Sequence, residues 1–214
     1  MKVMLAATGE WVYIMYGRHG NLGHMVNAYH PRKASTYLDV VIDNGAYSAF
    51  KNGSEWDEAR FLGGCEYFLK RHVSPLWVVV PDVVGDPVAT LKLWECWSPY
   101  ISEHFGWPLA FAVQDGMSVF DVPELADVVF VGGSTEWKWG NVYKFSSAFP
   151  RVHVGRVNSL ANLWFCHDAG VESVDGTGWT RTERQKSQLE HYLRCNTGWS
   201  VREEQLTIDG SQED

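Results

Sequence analysis

Short apolar runs recur along this chain, and each ends abruptly on acidic, amide or glycine residues. That punctuation restricts the fold more than any other feature. Val171-Glu-Ser-Val-Asp175 breaks into Gly176-Thr-Gly178-Trp179. The same grammar returns in Val41-Ile-Asp43-Asn-Gly45, Val79-Val-Pro-Asp82, Ala112-Val-Gln114-Asp115-Gly116, Phe130-Val-Gly132-Gly133 and Val152-His-Val-Gly155. A continuous β-branched run fits a strand buried on both faces, which is the condition of a parallel sheet. A carboxylate at the end of such a strand, followed by glycines that let a ligand approach the backbone, is where α/β barrels keep their chemistry.

Taken in order, the runs predict strands at Val3–Ala7, Leu38–Asp43, Leu76–Val80, Trp107–Val113, Asp127–Val131, Val152–Val154 and Val171–Val174. Residues 16–34 are rich in Gly, His and Asn without clear periodicity. They are expected to form a long loop, with His19, His24 and His30 solvated; ligands or phosphate contacts are the alternative for these three. Ser54, with Asp57 three residues on, predicts a capped helix bearing Phe61, Leu62, Cys65, Phe68 and Leu69 on one stripe. Asp86-Pro87 is a helix start, Asn158 or Ser159 caps Leu160–Ala169, and Gly170 stops that helix. A last helix runs from Thr180 or Thr182 to about Leu193. Strands alternating with helices imply right-handed parallel crossovers. About seven units in 214 residues predict a compact or incomplete (β/α)8 TIM-type barrel, with a doubly wound open sheet as the alternative. Residues 1–209 are expected to form one domain, and 210–214 a frayed, flexible tail.

Composition sets limits on partners. A net charge of -8 argues against indiscriminate gripping of a polyanion. The four cysteines, Cys65, Cys96, Cys166 and Cys195, form no CxxC pair and read as reduced thiols. No run approaches the ~18 apolar residues of a spanning helix, so a soluble, cytoplasmic protein without membrane contact is expected.

The chemistry is expected where Asp43, Asp82 and Asp175 meet at the barrel mouth. Like charges held close raise at least one pKa, dividing the group into proton carrier and nucleophile. Each carboxylate capping its own turn is the alternative.

The ordered set of motifs resembles the tRNA-guanine transglycosylases and their phage and bacterial relatives that insert 7-deazaguanine bases into DNA. That family's Asp-Ser-Gly-Gly-Phe is matched by Asp43-Asn-Gly-Ala-Tyr-Ser-Ala-Phe50, and its base-reading Asp by Asp82. Its Val-Gln-Gly-Gly is matched by Val113-Gln114-Asp115-Gly116, and its Gly-Gly-Leu by Gly132-Gly133-Ser134. Its Met-Gly-Val-Gly strand is approximated by His153-Val-Gly155, its nucleophile strand by Gly170-Val-Glu-Ser-Val-Asp175, and the following Thr-Arg by Thr180-Arg181. The match spans roughly residues 38–190.

The resemblance implies a pentosyltransferase. Asp175 would attack the anomeric carbon and hold the sugar covalently, and Asp43 would move the base's proton. Asp82, Gln114, Gly132, Gly133 and Gly155 would bind the base, with Tyr47 or Phe50 stacking on it; core packing is the alternative for these two. Arg181, Arg184 and Lys186 would hold flanking phosphates, or form a solvated charged face. The implied partners are nucleic acid, DNA in preference to tRNA because the chain is short, and a purine or 7-deazapurine base. A protein partner or a second copy of the chain would help hold the polyanion. The family's CxCxxC zinc subdomain is absent. Cys166, His167, His191 and Cys195 are the candidates for a zinc site in its place, but their spacing fits no known pattern, so no cofactor is expected. Asp115, where the family has Gly, puts the base pocket in question. A glycosylase or nucleoside hydrolase, a non-catalytic nucleobase or nucleotide binder, and a sugar-phosphate barrel gripping through Gly155-Arg156 stay open as alternatives.

Overall fold

The computed structural model describes residues 1–35 and 37–197; the tail proposed at 210–214 lies outside them. Among the described residues, eight parallel strands close into a barrel in sequence order. They are β1 (Lys2–Leu5), β2 (Leu22–Asn27), β3 (Asp39–Asp43), β4 (Val78–Val79), β5 (Leu109–Val113), β6 (Val128–Val131), β7 (Val152–Val154) and β8 (Ser173–Gly176). The helices are α1 (Glu10–His19), α2 (Ala46–Lys51), α3 (Glu58–Lys70), α4 (Pro87–Phe105), α5 (Thr135–Ala148), α6 (Leu160–Asp168) and α7 (Glu183–Thr197). β8 pairs with β1 to shut the ring, setting Met4 beside Asp175.

The barrel closes in so short a chain because two connections are abbreviated. β2 to β3 and β5 to β6 carry only 3-10 turns, Pro31–Lys33 and Val119–Asp121, in place of helices. None of the helices is long and apolar enough to cross a membrane among the described residues.

Strand alternation sorts the apolar residues into two layers. Val3, Leu22, Val40, Ile42, Phe111, Val129, Val154 and Val174 join the layer between strands and helices. Met4, Val41, Trp77, Val79, Ala110, Ala112 and Val128, with Met25 and Phe130 against them, fill the barrel interior. That double burial is why the strands read as continuous runs. Ala110 and Ala112 lie in register with Val79 and Phe130. Their small side chains leave room for Trp77 and Phe130, whose rings meet edge-on at 6.2 Å. Burying a side chain the size of Phe130 contributes ~1.5–3 kcal/mol when complete, and Trp77 is larger still. At the opposite end from the strand C-termini, Lys2 and Asp39 form an ion pair across the interior.

The stretch read as a loop at 16–34 contains the end of α1 and all of β2. β2 was illegible because its six residues, Leu-Gly-His-Met-Val-Asn, hold a single β-branched residue. His19 and His24 are buried and not solvated. His24 Nδ1 accepts the Ser35 N–H at 3.2 Å, and burial pushes its pKa down to about 4, so it serves as a neutral core residue. His30 is exposed.

Helix starts follow the capping chemistry of the sequence. Asp57, rather than Ser54, caps α3, accepting the Arg60 N–H at 3.0 Å. Ser54 instead donates to Ala49 O at the end of α2. α3 buries Phe61, Cys65 and Phe68 and leaves Leu69 exposed. Its Gly64 crosses the chain so closely that a Cβ there would lie 2.1 Å from Ala28 O. Asp86 caps α4 and Ser159 caps α6. Thr182 accepts the Gln185 N–H at the start of α7. α1, α2 and α5 have no counterpart in the sequence reading; α5 begins on the Ser134 cap.

Candidate active site at the barrel mouth

Because the strands are parallel, their C-terminal ends open on one face. Asp43 ends β3, Asp82 follows β4, Gln114 follows β5, Gly132 and Gly133 follow β6, and Gly155 and Arg156 follow β7. Asp175 lies within β8, one residue before its end.

Asp43 feels the charges of the other two carboxylates. Burial pushes the Asp43 carboxyl up to about 7; the Gly45 N–H pulls the other way, and the charges of Asp175 and Asp82 add to the rise. Asn27 Nδ2 donates to Asp43 Oδ2 at 3.3 Å. Burial also raises Asp82, opposed by two side-chain amides. Asn44 Nδ2 donates to its Oδ1 and Gln114 Nε2 to its Oδ2, each at 2.8 Å.

Asp175 is held by one oxygen. Its Oδ1 meets His153 Nε2 at 3.1 Å and accepts the Arg156 backbone N–H at 3.2 Å. Among the described residues its Oδ2 has no hydrogen bond. His153 is fully buried, wedged between Trp77 and Phe130 with ring centroids 4.8 Å from each. Its Nδ1 lies 2.8 Å from Ser173 Oγ. A carboxylate only accepts, so Nε2 donates to Asp175, and in the neutral ring Nδ1 accepts from the serine hydroxyl. Gly155 is needed beside this pair, since a Cβ there would lie 2.9 Å from the Phe130 ring and 3.3 Å from Asp175 Oδ1.

Arg156 spans the mouth. Its guanidinium donates to Gly133 O and, at 3.3 Å, to the Tyr47 hydroxyl, and it lies 4.8 Å over the Tyr47 ring. Its φ of 60° is unusual for a residue with a side chain, a strain of the kind that collects at functional sites. Asp115 explains the departure from the Gly of the resembled family. Its Oδ1 accepts the Ser134 N–H at 2.6 Å and so braces the Gly133 turn.

The remaining candidates divide. Gln114 spends its amide on Asp82, Ala112 O and the Gly85 N–H. It therefore orients a carboxylate, and its side chain is not free to read a base. Tyr47 stands at the mouth, while Phe50, one turn further along α2, is 63% exposed. Gly132 is partly buried at the end of β6. Arg181 is exposed and donates to Thr177 Oγ1, Arg184 is exposed, and Lys186 pairs with Glu183 at 2.7 Å. The zinc candidates are not assembled. Cys166 is buried in the core, His167 Nδ1 meets the Tyr192 hydroxyl, and His191 and Cys195 touch each other at 3.9 Å. No three His, Cys, Asp or Glu side chains converge to hold a metal among the described residues.

The sequence reading missed His153, Asn44 and Arg156 as working parts of the three-carboxylate site. A signal existed for His153, a polar residue between two valines at an inward-facing position of β7. Asn44 and Arg156 carry no such signal, because their roles depend on loop geometry.

Neither protein-family models nor curated proteins match this chain.

Proposed function

We propose that this protein exchanges guanine for a 7-deazaguanine in nucleic acid, DNA in preference to tRNA, through a sugar ester on Asp175. The observation that supports the reading is the contrast between two carboxyls: among the described residues Asp175 has one oxygen anchored and the other without a hydrogen bond, while burial pushes Asp43 up to about 7. In the first half, Asp175 Oδ2 bonds to the anomeric carbon as the glycosidic C–N bond breaks. The bond's electrons leave with the base, whose nitrogen takes the proton of Asp43. In the second half, the incoming base returns a proton to Asp43, its nitrogen bonds to the anomeric carbon, and the Asp175 ester breaks. Asp82, fixed by Asn44 and Gln114, accepts from the N–H edge of the base. Arg156 and Arg181 meet the flanking phosphates in an otherwise acidic chain. A nucleotide in duplex DNA must be flipped or single-stranded to reach such a mouth. For a base to stack on the face of Tyr47 that Arg156 covers, the guanidinium must swing away.

Labelled guanine and single-stranded DNA provide the test. Incorporation of label without loss of bases supports the proposal. Abasic product would instead make the protein a glycosylase, and binding without turnover would make it a nucleobase-binding barrel.

A further inference from the structure

We infer that Lys138 is a positioning residue that strengthens the grip on Asp175 through a single peptide group. The catalytic side of this inference rests on the exchange reading; the physical side does not. Lys138 Nζ donates to Gly155 O at 2.6 Å. The N–H of the same peptide unit is that of Arg156, which donates to Asp175 Oδ1 at 3.2 Å. A cation on the carbonyl draws electron density along the conjugated O–C–N system, so the N–H becomes the better donor. The ammonium thus acts on the carboxylate without touching it.

The placement of Lys138 is costly unless it has a use. It is 2% exposed, and lysines are almost never fully buried unless paired. Among the described residues it forms no ion pair; its Nζ has the Gly155 carbonyl and the Trp139 ring, 4.5 Å away. It sits near the start of α5, where the helix dipole disfavours a cation. The charged or titratable groups acting on it are Arg156, Asp175 and Cys166, and burial pushes the Cys166 thiol up to about 12, leaving it neutral. Burial lowers the amine itself to about 8, so its charge can be removed by pH.

The test follows the Arg156 amide proton by NMR in the free protein. In the wild type the resonance moves upfield as pH rises through about 8. Lys138→Met, similar in shape and neutral, starts upfield and lacks this step, while keeping any step near 7 that comes from Asp43. Lys138→Arg holds the downfield value throughout. In base exchange, Lys138→Met lowers kcat about tenfold with KM little changed, and Lys138→Arg restores most of the loss. A step near 8 that survives in Lys138→Met, or a resonance insensitive to all three side chains, overturns the inference. A wild type showing the step but no exchange keeps the relay and refutes the exchange reading; exchange with a flat resonance refutes the relay alone.

Discussion

Asp43→Asn removes the carboxyl on which the proposed proton transfer depends. The carboxyl rises from 3.8 to about 7, about three pH units at 1.36 kcal/mol each, a ceiling near 4 kcal/mol. Part of Asp43 remains open to water, so about half of that is the expected size. The sign follows from proton counting. Between 3.8 and about 7 the folded state binds more protons than the unfolded chain at this group, so its contribution is fully present below that window and is lost as pH rises through it. Asparagine keeps the shape and removes the titration. Urea unfolding followed by tryptophan fluorescence, at about pH 5 and about pH 8, should show the wild type losing ~1–2 kcal/mol more than Asp43→Asn. Equal losses in the two proteins would mean that Asp43 titrates as an ordinary surface carboxyl. A wild type that loses less than the variant between the two pH values would mean that the mouth favours the carboxylate. Either result removes Asp43 as the proton carrier.

Three further outcomes follow from the geometry. His153→Phe strips Asp175 Oδ1 and Ser173 of their shared partner, and should cost ~1–3 kcal/mol in unfolding experiments together with at least a tenfold loss of exchange. Gly155→Ala drives a methyl group against Phe130 and Asp175 Oδ1; exchange should fall more than urea stability does, because the carboxylate moves more easily than the packed ring. Gln114→Met removes the amide that donates to Asp82 Oδ2 and should weaken equilibrium binding of guanine by about tenfold through the loss of one oriented Asp82 oxygen, and unchanged affinity would count against Asp82 as the base reader.

The sequence carried the barrel because its strands are buried on both faces. Val40-Val-Ile42 and Val128-Val-Phe-Val131 require a parallel sheet covered on both faces, and the polar end on nearly every strand favours a closed ring over a doubly wound open sheet. It carried the three strand-end carboxylates for the same reason: polar residues closing apolar runs must lie on one face of a parallel ring. β2 was hidden because its interior positions are Gly23, which accommodates Met4, and Met25, neither of which signals a strand. α2 was hidden because it is only six residues long and starts from the left-handed Gly45, without a side-chain cap. The supports of the site were hidden more deeply. The hold of Arg156 on Asp175 depends on a backbone N–H that every residue but proline possesses, and Lys138 reaches the mouth only through the path of another segment. Such contacts are set by tertiary geometry and leave no local pattern.

Mass spectrometry of the protein after incubation with single-stranded DNA and a purine base, quenched during turnover, tests the central claim most directly. The account predicts a DNA-sugar adduct on the peptide bearing Asp175, absent in Asp175→Ala and discharged by added base. A wild type that exchanges bases without that adduct, or carries it on another residue, would contradict it.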